Sequence, residues 1–159
     1  MRSKTGPQWL ISHEVSWEVN FLLWLRQQPD GPSGLSPRQW DDWEIRAVTH
    51  PTAVMLDAVA QSAPDDTSAA WCRQMSEPFI GFWNQRAHDL SLEIHRFAAD
   101  VSRRLASLMG GSSRNLRLLQ AIEPGTRCTR AAAGTWIIGL GYLDPDPFLT
   151  LMQQLKDQP

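Results

Sequence analysis

Four histidines, two cysteines and two pairs of adjacent aspartates are the side chains here best able to carry chemistry, and their spacing limits that chemistry. His88 and His95 stand seven residues apart, so on a helix they share a flank with Asn84 and Ser91. A metal site in a helical bundle draws ligands from Glu-x-x-His, or from two histidines at i,i+4, so that both converge on one ion. Neither spacing occurs, and His13-Glu14 belongs to a distant segment. Cys72 and Cys128 lack a CxxC partner, so they read as ordinary reduced thiols. Asp41-Asp42 and Asp65-Asp66 fall at or near helix starts, where carboxylates complement the helix dipole. Gly110-Gly111-Ser112-Ser113-Arg114 has ingredients for holding an anion, but without the lysine of a P-loop or a strand before it. A helix-to-helix turn capped by Ser113 is the simpler reading. No catalytic residue, metal site or cofactor is expected.

Surfaces are more telling than sites. Eight tryptophans, seven of them before residue 84, supply large amphipathic rings suited to cores and interfaces alike. Charge is unevenly spread. Residues 1–95 hold seven basic and twelve acidic side chains, whereas residues 96–130 hold seven arginines against Asp100 and Glu123. Such asymmetry suits an electrostatically guided contact. The expected partner-binding residues are therefore Trp40 and Trp43, on an acid-rich helix, with Arg103, Arg104, Arg114, Arg117, Arg127 and Arg130.

The functional expectation is a non-enzymatic interaction protein: an adaptor, chaperone, inhibitor or complex subunit with a protein partner or a second copy of itself (a homo-oligomer). The alternative is a nucleic-acid-associated subunit whose 96–130 arginines track phosphates. A third reading is a small helical enzyme or metal binder using His13, His88 and His95 between the first helix and the long one. A net charge of −2 and a pI near 6.0 weigh against nucleic acid. No signal peptide or membrane span is recognisable, and the cytoplasm is the expected location.

These surfaces need elements to carry them. Trp83, Ala87, Leu90, Ile94, Phe97, Val101, Leu105 and Leu108 follow at steps of four and three, which predicts one long helix over about 77–109. Ser76 is its expected cap and Gly110-Gly111 its stop. Thr5-Gly6-Pro7-Gln8 reads as a capping box opening a first helix that runs to about Gln28 on a Leu10, Trp17, Phe21 and Trp24 stripe. Ser36-Pro37-Arg38-Gln39 repeats that start signal. Short helices are expected over 51–61, around Trp71 and after Ser113, with a last one carrying Phe148, Leu151, Met152 and Leu155. Residues 127–143 read either as a buried helix with a small-residue face or as a short hairpin near 134–143, because Thr-Trp-Ile-Ile favours strand. The predicted fold is all-α: one domain over residues 1–159, a bundle of about six to eight helices around the long one.

Overall fold

The computed structural model describes residues 9–29, 31, 34–52, 54–109 and 114–156. It overturns the all-α bundle. Among the described residues there are five α-helices and a four-stranded mixed sheet, and the chain divides into two compact units. One unit comprises residues 16–89; the other comprises 1–15 with 90–159, so the first is inserted in the sequence of the second.

The inserted unit is helical. α1 (Trp17–Arg26) starts where the Ser16 hydroxyl accepts the Val19 N–H at 3.1 Å. α2 (Pro37–Val48) opens on the capping box foreseen above: Ser36 Oγ accepts the Gln39 N–H, and Gln39 Oε1 accepts the Ser36 N–H. α3 (Met55–Gln61) follows, and the three pack against one another. α4 (Asp66–Met109) is the long helix, and it begins ten residues before the expected cap. Asp65 is the side chain that satisfies its first turn, accepting the Ser68 N–H at 2.7 Å. Ser76 lies inside the helix, as does Pro78. Proline at 78 removes the helical donor to the Gln74 carbonyl, and Gln74 is an exposed residue.

Phe79 is the hub of this unit's core. Its ring lies 4.9 Å from Phe21, 5.4 Å from Trp24, 5.5 Å from Trp17 and 5.3 Å from Trp83. Of the expected stripe, Trp17, Phe21 and Trp24 lie on α1, whereas Leu10 lies on a strand. Residues 9–15, expected as the helix's first turns, form a strand. The proposed cap at Thr5–Gln8 lies outside the described residues.

The second unit carries the sheet. β1 (Trp9–Val15) runs parallel to β2 (Arg114–Gln120), and β2 runs parallel to β4 (Thr135–Ile138). β3 (Cys128–Ala132) pairs antiparallel with β4, giving the order β1-β2-β4-β3. Period-two alternation explains β1 and β2. In β2, Asn115 and Arg117 are exposed and alternate with the buried Leu116 and Leu118; Leu119 and Gln120 at the strand's end are both buried. The same leucines invite a helical reading when the strand on either side is not known.

Residues 127–143 settle on the hairpin, six residues earlier than the one considered. Its turn at Ala133-Gly134 holds Gly134 at φ +74°, and a Cβ there would stand 2.9 Å from the Asn115 carbonyl oxygen. Close backbone approach is real at Gly139 and Gly141 too, outside any α-helix: a Cβ on Gly139 would stand 2.7 Å from the Gly125 carbonyl oxygen, and the Gly141 N–H donates to that carbonyl at 2.7 Å. After a 3-10 turn at Leu140–Tyr142 comes α5 (Pro145–Lys156), which buries Phe148, Leu151, Met152 and Leu155 as spaced. One face of the sheet packs on Phe97 and Val101 of α4 and on these α5 side chains, with Leu116, Leu118, Trp136 and Ile138 as the facing layer.

Candidate functional site

The opposite side of the sheet is different. Strand alternation puts Ser12 and Glu14 of β1, Asn115 and Arg117 of β2, and Thr135 of β4 together on it. Ser12, Arg117 and Thr135 form one row across three strands in register. All of these except the half-buried Thr135 are exposed, although Leu119 and Ile137 further along that face are buried. Arg117 reaches diagonally to Glu14, donating from Nε at 3.0 Å and from Nη2 at 2.7 Å to the same oxygen, Oε1. Both side chains remain nearly half exposed, at 46% and 45%. A shallow groove of about 450 Å³ is lined by Ser12, Asn115, Arg117, Gly134 and Thr135, with Ile11 and Leu116 among its apolar walls. The accessible lining of this groove is mainly apolar, with the Ser12 and Thr135 hydroxyls, the Asn115 carboxamide and the Arg117 guanidinium as its polar groups.

The other expected residues are scattered. Trp43 is fully buried and donates from Nε1 to the Val59 carbonyl at 2.8 Å. Trp40 stacks on it at 5.3 Å, and the Arg26 guanidinium stands 5.9 Å over the Trp40 ring. Both indoles are core. Arg103 and Arg104 are exposed on α4 beside a separate groove that also takes in Ser107, Leu108 and Leu149. Arg104 pairs with Asp146 at 3.2 Å. Arg127 pairs with Glu123 at 2.7 Å and its guanidinium also donates to Thr129 Oγ1. Arg130 sits on the edge strand β3. The Arg114 side chain and residues 110–113, where the anion-holding turn was considered, lie outside the described residues.

Titratable groups behave structurally. His13 belongs to β1, not to a helix. Its ring stacks on Phe148 at 6.1 Å, and Nε2 meets Gln120 Oε1 at 2.9 Å. The Gln120 amide nitrogen donates to the carbonyls of Ala121 and Ile138, which fixes Oε1 as an acceptor and puts the imidazole proton on Nε2. Burial holds His13 below its ordinary value, and the Gln120 bond opposes that only in part. Burial also pushes the Cys72 thiol up to about 12, so it supplies no thiolate near neutrality. The hydrogen bond from the Ser68 backbone draws Asp65 down, as befits a cap. His88 and His95 are exposed on α4. Among the described residues no group of three or more His, Cys, Asp or Glu is arranged to hold a metal ion. Nor is any described helix long and apolar enough to cross a membrane.

Sequence reasoning singled out Arg117 but missed Ser12, Glu14, Asn115, Thr135 and Gln120. The available signal was the alternation Ile11-Ser12-His13-Glu14-Val15 and Asn115-Leu116-Arg117-Leu118, a period of two rather than 3.6. Comparison with protein-family models, with curated proteins and with solved structures finds no match to this chain.

Proposed function

We propose that this chain is a non-enzymatic, cytoplasmic interaction protein that engages a protein partner on the exposed polar face of its sheet. One observation carries the reading: three mutually parallel strands, a type ordinarily buried on both faces, present Ser12, Asn115, Arg117 and Thr135 around an open groove. Arg117 is the centre of that surface. Its guanidinium uses two donors on Glu14 and keeps others for a carbonyl or carboxylate of the partner. Two free cysteines are in keeping with a reducing compartment.

The charge pattern supports an electrostatically steered contact. The sheet-bearing unit holds ten basic and seven acidic residues, a balance of +3, and the helical unit five basic and ten acidic, a balance of −5. The phosphate-tracking alternative draws less support, because Arg104 and Arg127 each already face a carboxylate.

The test is affinity capture from the source cells with the wild-type chain and with Arg117→Ala and Asn115→Asp, each checked for fold by circular dichroism. A partner retained by the wild type and lost from both variants supports the reading. Equal recovery with all three chains, or recovery of nothing, refutes it.

A further inference from the structure

Within the sheet-bearing unit, the last turns of α4 meet α5 at a second groove, distinct from the one on the sheet. Two ties join the helices there. Arg104 Nη2 meets Asp146 Oδ1 at 3.2 Å, and Lys156 Nζ donates to the Leu108 carbonyl at 3.3 Å. The groove measures about 610 Å³ and is lined by Arg103, Arg104, Ser107 and Leu108 of α4 and by Leu149 of α5. Arg103 with Ser107 and Arg104 with Leu108 are i,i+4 pairs, so two neighbouring ridges of α4 run along it. Each ridge starts at a guanidinium and ends one turn, about 6 Å, further on at a hydroxyl or a leucine. The accessible lining is mainly apolar, and its charged members are two arginines with no carboxylate among them. Leu108 also packs on the core beneath the sheet, which fixes the apolar end in place.

We infer that this groove receives an acidic amphipathic helix of a protein partner. An apolar side chain of that helix rests on Leu108 and Leu149, and carboxylates one turn away meet Arg103 and Arg104. The inference does not depend on the sheet groove. Its ground is the pairing of two chemistries at the spacing of one helical turn, which is how an amphipathic helix presents its own residues. A neutral apolar segment would cover the guanidinium groups without giving them an acceptor, and a phosphate chain would gain nothing from the leucines. The Arg104–Asp146 pair is no obstacle. It is a single contact between side chains 59% and 85% exposed, so a second carboxylate joins or replaces Asp146 at little cost. The surplus of three positive charges on this unit steers an acidic segment toward it.

The probe is a fluorescein-labelled helical peptide with leucines at i, i+3 and i+7 and glutamates one turn from them, titrated with the full chain at low salt. Half-saturation is expected at about 10–100 µM, the range of a small transient contact. The same peptide with every glutamate replaced by glutamine is expected to bind at least tenfold more weakly. Arg103 and Arg104 are exposed, so Arg103→Glu and Arg104→Glu leave the fold in place, which circular dichroism checks. Each is expected to weaken the acidic peptide about tenfold, and the double variant is expected to prefer a peptide carrying lysines in place of the glutamates. Absence of saturable binding at hundreds of micromolar overturns the inference, as do equal affinities for the acidic and glutamine peptides. Binding of inorganic polyphosphate, or of vesicles containing phosphatidylglycerol, in place of the peptide also overturns it. Should a variant misfold, amide shifts of the wild type on adding the peptide decide. Shifts centred on Arg103, Ser107, Leu108 and Leu149 support the assignment, and shifts centred elsewhere overturn it.

Discussion

Replacing Gln120 by leucine tests the account of the buried polar centre of the sheet. The side chain is wholly inaccessible, accepts from His13 Nε2 at 2.9 Å and donates to Ala121 O at 3.0 Å and Ile138 O at 3.2 Å. Leucine matches its volume but makes none of these bonds. The Ile138 carbonyl keeps a donor, since the Ala121 N–H reaches it at 2.9 Å. His13 Nε2–H and the Ala121 carbonyl lose theirs, and a buried polar group without a partner costs about 1–3 kcal/mol. The apolar side chain offsets about 1 kcal/mol, leaving a net loss of roughly 1–5 kcal/mol. Urea denaturation of the wild type, Gln120→Leu, His13→Phe and the double variant measures it. Because both polar partners are gone in the double variant, its loss is expected to fall short of the sum of the singles by about 1–2 kcal/mol. A single variant costing less than about 0.5 kcal/mol, or strictly additive losses, would refute the argument that this amide holds the strands together.

Four other outcomes follow from the same structure. His13 has a depressed value in the folded chain, so its contribution is complete above its ordinary 6.5 and is lost as pH falls from there toward the folded value. Urea titrations at pH 7.5 and 5 are expected to show that loss in the wild type and a smaller one in His13→Phe. Trp43→Phe is expected to cost about 1–2 kcal/mol through the lost bond to Val59, and Trp43→Ala about 3–5 kcal/mol; an interface tryptophan would leave thermal unfolding of the free chain unchanged. Gly134→Ala, at φ +74° against the Asn115 carbonyl, should lower stability by more than about 1 kcal/mol, whereas Gly81→Ala in α4, with open space around it, should raise it by about 0.5–1 kcal/mol. Under native conditions iodoacetamide should modify the half-buried Cys128 before the fully buried Cys72, whose thiol is pushed up to about 12; mass spectrometry of the labelled peptides reads the order.

Elements whose signals are local were legible in the sequence. The Ser36 to Gln39 capping box, the seam from Trp83 to Leu108 and the apolar side of α5 all appear where their spacing put them. The strands were less legible, and the reason is physical. Thr-Trp-Ile-Ile pointed to strand at β4, but in β1 and β2 the alternation is short, and Leu116 and Leu119, three apart, also suit a helical face. Helix signals also misled: Leu10 extends the Trp17–Trp24 stripe backwards, although Ser16 is the residue that caps α1. At the site, type pointed to Arg117 but not to its role, because its partner Glu14 comes from a strand 103 residues earlier. Trp40 and Trp43 had the composition of an interface and the surroundings of a core; only packing separates those cases.

The placement of β1 has a consequence for how the chain reaches this state. Trp9 must find Arg114, a separation of 105 residues, and no central strand is complete until the segment after α4 has been made. The helical insert, built from contacts close in sequence, is ready to form earlier, while β1 waits outside it with its alternating apolar side chains unsheltered. Stopped-flow refolding should accordingly resolve a fast rise in helix followed by slower burial of Trp136, and β1 is where crowded, newly made copies would stick to one another if that second phase were delayed.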